Sequence, residues 1–405
     1  MIELEFSVIE DAPGESAFLN EILDEFQAQH AVRVHLRPMN WSQGWADLFE
    51  IALNGKGADV SHIGSTWISS LVAMNSLRSF SPREQAMMGG AEIFSAPVWK
   101  SAILGDDQQV WAIPWMSYIY VICYRNDLLQ QAGIDGKQAF GSIEKLGKTI
   151  ERLSTVKAEF PWLMQNVPPP FTDLLHLAAS WIWGAGGELL NDKWDETRFT
   201  KPEAIRGLVA FFDAYRGVLP EAQNYQPDEC MQLFAEGRVA ALVVNDRALA
   251  QVLASPTLDP TVRANIRTAP LSQAPWFGGS NLVIWRHTKG YPDREKAALA
   301  LVSYLTSKPV QMRAAQLTGA IPARLEAAEA LFGVDHPLYE TVQLTSQTGR
   351  YYPPAAIWRR IEFQLATALN EILTEAQSEP AADLKPIVHK HLDPLAQRLN
   401  LTLGR

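Results

Sequence analysis

Trp111-Ala112-Ile113-Pro114-Trp115, running on through Tyr118, Tyr120 and Val121 to Tyr124-Arg125-Asn126-Asp127-Leu128, is the stretch that decides the fold. It opens on an aromatic and proline cluster, continues as an apolar run of strand formers, and closes on Asn126-Asp127, an N-cap for a following helix. Pro114 has no N–H to give to a sheet ladder, so it marks the place where the chain leaves one sheet and enters another. Exposed aromatics at such a crossing are expected on the floor of a cleft, with Trp115 and Tyr118 as its first candidates.

Working outward, Ile2, Leu4, Phe6 and Val8 alternate with polar residues, Phe18, Leu19, Ile22, Leu23 and Phe26 recur at helical spacing, and Val32, Val34 and Leu36 alternate again. This is a β-α-β unit, with parallel strands and a right-handed crossover. Ligands of such open sheets collect outside the carboxyl ends of the strands, which puts Glu10, Asp11, Trp41, Ser65, Thr66 and Trp67 on one rim. Beyond the crossing strand, Pro168-Pro169-Pro170 reads as an extended loop and His176 to Trp183 as a helix stopped by Gly184-Ala185-Gly186-Gly187. Pro202 to Tyr215 reads as a helix and Val239 to Val244 as a buried strand ending in Asn245-Asp246-Arg247. Trp276 to Ile284 returns to the first sheet, with Gly278 and Gly279 giving freedom for a hinge, and Gly319 to Pro322 is a third crossing. Helices are expected from Trp358 and from about Asp383. The expectation is two α/β lobes built from separated pieces, 1–115 with 278–318 and 116–277 with 319–405.

Two domains also suit 405 residues, and 47% hydrophobic with 20% charged residues is ordinary globular composition. A net charge of -10 without clustered Lys and Arg argues against nucleic acid or an anionic membrane as partner. Thirteen tryptophans, several in expected loops beside polar residues, suggest a stacking surface. Cys123 and Cys230 read as buried reduced thiols, with a disulfide left open. No segment reaches the roughly 18 apolar residues of a membrane span, and Met1-Ile2-Glu3-Leu4-Glu5 has no leader character. Read literally, that beginning is cytosolic.

Several segments in order carry a resemblance. They are Ala58-Asp59-Val60 with Ser65-Thr66-Trp67 and Ser76 to Phe80, then Phe234-Ala235-Glu236-Gly237-Arg238-Val239-Ala240-Ala241, Trp276-Phe277-Gly278-Gly279, Tyr304-Leu305-Thr306-Ser307 and Gly319-Ala320-Ile321-Pro322-Ala323-Arg324. Together they resemble the ABC-transporter extracellular solute-binding proteins, in particular the sugar-binding group that includes maltose-binding proteins. The resemblance implies a two-lobe periplasmic-binding-protein fold of the Venus-flytrap type. It further implies a carbohydrate bound with hinge closure, and a permease that reads the closed form. With it come a periplasmic or extracellular location, a leader or lipid anchor absent from this chain, a monomer, and no catalysis. The family often places a late ligand contact where this chain has Arg350-Tyr351-Tyr352. Two departures stand out. Gly64 replaces an acid before Ser-Thr-Trp, so that Glu10 or Asp11 is expected to substitute for it. Asn245-Asp246-Arg247 replaces Gly-Pro-Trp, which hints at a more polar or anionic ligand.

Enzyme motifs are missing: no phosphate-binding loop, no H-E-x-x-H and no G-x-S-x-G. His389-Lys390-His391 has the wrong spacing for a metal site on a helix, and adjacent acids such as Glu10 and Asp11 do not flank a glycosidic bond from both sides. No metal or cofactor is therefore expected. A sugar needs flat apolar faces and fixed hydrogen-bonding groups. The expected platforms are Trp41, Trp67, Trp115, Tyr118, Trp183, Trp276 and Tyr351, and the expected polar groups are Glu10, Asp11, Ser65, Thr66, Asp246, Arg247 and Arg350. Plain packing competes for Trp41, Trp67 and Trp183, solvation for Glu10 and Asp11, and a local ion pair for Asp246 and Arg247. A carbohydrate-active enzyme and a sensing domain without a transport role are the rival functions.

Overall fold

The computed structural model describes residues 1–10, 12–105, 108–165, 167, 169 and 171–404. The chain divides into two compact units. The first is Met1–Tyr118, Phe277–Gly333 and Pro354–Arg359, and the second is Ile119–Trp276, Val334–Pro353 and Arg360–Arg405. The backbone thus passes between them five times, against the three crossings read from the sequence. Residues 319–333 fall with the first unit, because Ile321 and Pro322 pair antiparallel with Ser117 and Met116.

In the first unit, β1 (Ile2–Ile9), α1 (Glu15–His30) and β2 (Val32–Met39) form the β-α-β unit, the strands parallel from Ile2↔Val32 to Ile9↔Met39. The apolar stripe of α1 buries Leu19, Ile22, Leu23 and Phe26, each side chain contributing about 1.5 to 3 kcal/mol. After α2 (Trp41–Asn54), β3 (Val60–Gly64) lies parallel to β1, and Phe277–Ile284 runs antiparallel beside β3. Gly279 has φ +156°, and a Cβ there would lie 2.3 Å from the Met116 carbonyl oxygen. Glycine at 279 makes room for the neighbouring strand, which is a packing reason distinct from hinge freedom.

That neighbour, Ile113–Arg125, is one strand of 13 residues. Pro114 sits inside it and does not break it, and the ladder partners change only later. Met116 and Ser117 pair in the first unit, whereas Tyr120–Tyr124 pair with Ala241–Asn245 and Val121–Arg125 with Ile266–Pro270 in the second. Every residue of the strand except the half-buried Tyr118 is buried.

In the second unit Phe160–Met164 lies parallel to Val239–Asn245. The helices Thr172–Gly184 and Pro202–Arg216 approach so closely that a Cβ on Gly207 would stand 2.4 Å from the Trp181 carbonyl oxygen. Trp181, Phe211, Phe212 and Tyr215 fill the core beside them, and Trp162 Nε1 donates to the Ala214 carbonyl at 3.0 Å. The chain ends in the helices Trp358–Ser378 and Leu384–Leu403. His389 pairs there with Asp393, and His391 with Glu371 and Glu375. Cys123 and Cys230 are both buried and free, and burial pushes the Cys230 thiol up to about 12.

Candidate functional site

Each unit carries an aromatic cluster with polar groups around it. In the first, Asn40 caps α2 by accepting from Gln43 N–H at 2.9 Å, which fixes Trp41 as the first helical residue past the end of β2. Trp41 is 42% exposed and meets Trp67 edge-on, centroids 5.5 Å apart, while Trp67 meets Trp45 in the same way at 5.8 Å. A Cβ on Gly64 would lie 3.3 Å from the Trp41 ring, so a larger residue there would press on the indole. His62, two residues before Gly64 on β3, lies edge-on to Trp41 at 6.2 Å and to Trp115 at 4.8 Å. Its Nδ1 accepts from the Ile9 backbone N–H at 3.3 Å.

Trp41, Trp67 and the half-buried Ser65 and Thr66 do follow the carboxyl ends of β2 and β3. Glu10 follows β1 and is exposed, but its carboxylate accepts from the Ser16 N–H at 3.2 Å and the Ser16 hydroxyl at 2.5 Å, which ties it to the first turn of α1. Asp11 lies outside the described residues. Trp115, expected as an open ring, is 2% exposed and packs against Phe6 and His62. The strand that carries it is buried on both faces, so an aromatic there is covered whichever way it points.

In the second unit the His176 imidazole stacks on Trp276 at 4.0 Å with 4° between the planes. His176 Nδ1 lies 2.7 Å from the Tyr352 hydroxyl and its Nε2 3.9 Å from Asp173 Oδ1. Tyr120 and Tyr352 lean on Trp276 with centroids 6.4 and 6.1 Å away, and the Trp276 N–H donates to the Ser180 hydroxyl at 2.9 Å. Arg350 holds Glu188 through two hydrogen bonds of 2.8 Å with its guanidinium 4.8 Å over Trp183, which in turn faces Tyr352. Asp246 is fully buried and accepts from the Ile119 N–H at 3.3 Å, so its part is to join a helix start to the long strand. Arg247 is half-buried and acts electrostatically on Asp173. Gly278 is buried, and Tyr351 is half-buried with burial raising its phenol.

Asp173, His176 and Tyr120 of this cluster, and His62 of the other, were not among the expected site residues, and Tyr352 entered only within Arg350-Tyr351-Tyr352. Crowding by protein raises the Asp173 carboxyl, and a hydrogen bond from Tyr120 and the Arg247 charge oppose that. The side chain nonetheless keeps 42% of its surface open, so solvent limits the penalty. Just before it, Phe171 holds φ +64°, a conformation that costs a non-glycine residue about 1 kcal/mol or more. Among the described residues no group of three or more His, Cys, Asp or Glu is placed to hold a metal, and no helix is long and apolar enough to cross a membrane.

Comparison with solved structures gives the fold. The sugar-binding protein MalE of Xanthomonas citri superimposes with a TM-score of 0.79 at 18% identity, covering 99% of this chain and 97% of that one. A tagatose-bound solute-binding protein of Thermotoga lettingae gives 0.76 at 18% over 100% of both chains. A ribitol-bound one of Agrobacterium radiobacter gives 0.74 at 16%, covering 100% and 98%. The fold is therefore α/β, of the two-lobe periplasmic-binding-protein type. No curated protein sequence matches the chain significantly. The family model of the bacterial extracellular solute-binding proteins matches residues 21–341, most of the chain. This protein belongs to the bacterial extracellular solute-binding protein family, whose members are binding proteins.

Proposed function

We propose that the protein is the extracytoplasmic binding component of an ABC importer for a sugar or polyol, working as a monomer that delivers its ligand to a membrane permease. The observation that carries this reading is Trp41. It is a large ring left 42% exposed at the carboxyl end of a parallel strand, held on edge by Trp67 and seated over a glycine. Exposed indole faces suit the C–H faces of a pyranose or an extended polyol, and hydroxyl recognition falls to neighbouring polar side chains. The Asp173–His176–Trp276 cluster of the second unit is the candidate for further contacts. The relatives bound to tagatose and ribitol support the ligand class.

Replacing Trp41 by Ala tests the assignment. Calorimetric titration with a panel of neutral sugars and polyols is expected to show the affinity of the best ligand falling by about tenfold or more, about 1.4 kcal/mol. The melting temperature is expected to move little, since the ring is half out of the fold. Unchanged affinity in the variant would remove Trp41 from the binding surface.

A further inference from the structure

Helix α2 is apolar on two sides. Gly44, Leu48 and Ile51 are buried toward the core, while Trp45, Phe49 and Leu53 recur every fourth residue and form a second row along the outside. Phe49 is 39% and Leu53 65% exposed, whereas Trp45 is half-buried beside the Trp67 ring with the Arg359 guanidinium 5.7 Å above it. From Trp45 to Leu53 the row is about 12 Å long at the rise of an α-helix. Next to it Asp47 and Glu50 line an open cavity of about 340 Å³, together with Arg37, Ile51, Asn54 and Lys56. These two acids stand one turn apart, where like charges repel, and among the described residues neither forms a hydrogen bond or an ion pair. Arg37 is drawn instead to Glu5 at 3.6 Å, Lys56 pairs with neither acid, and α2 has no Lys or Arg of its own.

We infer that this face of α2 is a docking surface for an extracytoplasmic segment of the permease, one that is apolar along one side and carries an Arg or Lys to Asp47 and Glu50. This rests on the importer reading above and adds to it a place on the chain and the chemistry of the partner. A single exposed apolar residue is ordinary, but a row of them beside two uncompensated acids costs the free protein both apolar exposure and charge repulsion. A partner that brings apolar surface and a cation relieves both, and a guanidinium fork or an ammonium is the group that two unpaired carboxylates recognise most strongly. A second copy of the chain fits poorly, since a symmetric contact sets the same patch against itself and brings acids toward acids. Anionic lipid is repelled by the same carboxylates. The row is also short beside the roughly 800 Å² per partner that a stable interface buries, which suits a contact made and released in turn.

The test uses the whole protein and the permease of the same importer, held with its ATP-hydrolysing subunits in nanodiscs, in excess maltose, tagatose or ribitol. Stimulation of ATP hydrolysis is measured for the wild type, Leu53→Asp and Glu50→Arg. Leu317→Asp serves as the control, because Leu317 is 41% exposed on another helix of the same unit, Lys308–Thr318. Leu53→Asp and Glu50→Arg are each expected to need about tenfold more protein for half-maximal stimulation, with sugar affinity and melting temperature unchanged and Leu317→Asp behaving as wild type. Wild-type stimulation by both α2 variants overturns this inference alone, as does an equal loss in Leu317→Asp. It is likewise overturned by a wild-type dimer in sedimentation that Leu53→Asp splits, which gives the row to a second copy, or by adsorption to bare phosphatidylglycerol vesicles that Leu53→Asp abolishes, which gives it to lipid. Absence of any stimulation by the wild type overturns it together with the importer reading.

Discussion

The two aromatic clusters are built on opposite plans. In the first unit the outermost ring, Trp41, is open and meets Trp67 and His62 edge-on. In the second, Trp276 is 4% exposed, lies flat against His176, and His176 is fastened in turn to Tyr352. There the open group is an acid and the rings are framework. The same residue types therefore serve as surface in one unit and as scaffold in the other, and burial with hydrogen bonding separates the two roles where composition cannot.

The sharpest way to break that contrast is to remove the locked ring. Trp276→Ala takes out a side chain that touches His176, Tyr120 and Tyr352, and it is expected to lower stability by about 4 kcal/mol, in the range for buried Trp. Scanning calorimetry measures the loss, and hydrogen exchange places it in the second unit. A cost as small as that of Trp41→Ala would show that the two clusters are alike.

Long-range charge ties extend the comparison. In the first unit Arg78 holds both Glu84 and Glu295, the latter 217 positions away in sequence, whereas in the second Arg125 holds Asp127, two residues on. Arg78→Met leaves two acids without their partner and is expected to cost about 3 kcal/mol, more than Arg125→Met. Burial works to raise Glu84, but hydrogen bonds from Arg78 and from the Ser81 N–H outweigh it and its pKa is lowered. A lowered acid contributes stability above its unfolded value of 4.5 and loses it as pH falls through the folded value. The difference between wild type and Arg78→Met is thus expected to be full at pH 7 and to shrink below about pH 4.5, as denaturant midpoints at several pH values would reveal. A gap that widens in acid would refute the tie. The smallest effect belongs to Tyr352→Phe, which deletes the hydroxyl 2.7 Å from His176 Nδ1 and is expected to cost about 1 kcal/mol in melting experiments. No change at all would mean that stacking on Trp276 suffices to hold the imidazole.

Much of the first unit was legible because its signals are local. The alternation in Ile2–Ile9 and Val32–Met39 and the helical stripe between them give the parallel pair, and the rule for open sheets then brings Trp41 and Ser65–Trp67 to one rim. Trp115 misled because the strand Ile113–Arg125 is buried on both faces, where a proline followed by an aromatic gives no sign of being covered. Asp173 and His176 were missed for a different reason. The helix was read from His176, whereas it starts at Thr172, which puts Asp173 in its first turn; an acid beside a threonine after a proline loop was the available signal. Nothing local announces that His176 will lie flat on a ring one hundred residues later, since that contact exists only once the long strand and its neighbours have assembled.

The route of the backbone also bears on synthesis. Phe277–Ile284 pairs with β3, yet it leaves the ribosome more than two hundred residues after it, so β3 spends that interval as an uncovered edge. The first unit has its last segment only when Pro354–Arg359 has emerged, and the second needs the terminal helices as well. A nascent chain of this layout has no early stopping point at which one half is finished. Until those late segments have emerged it depends on whatever shields sticky strands from their neighbours.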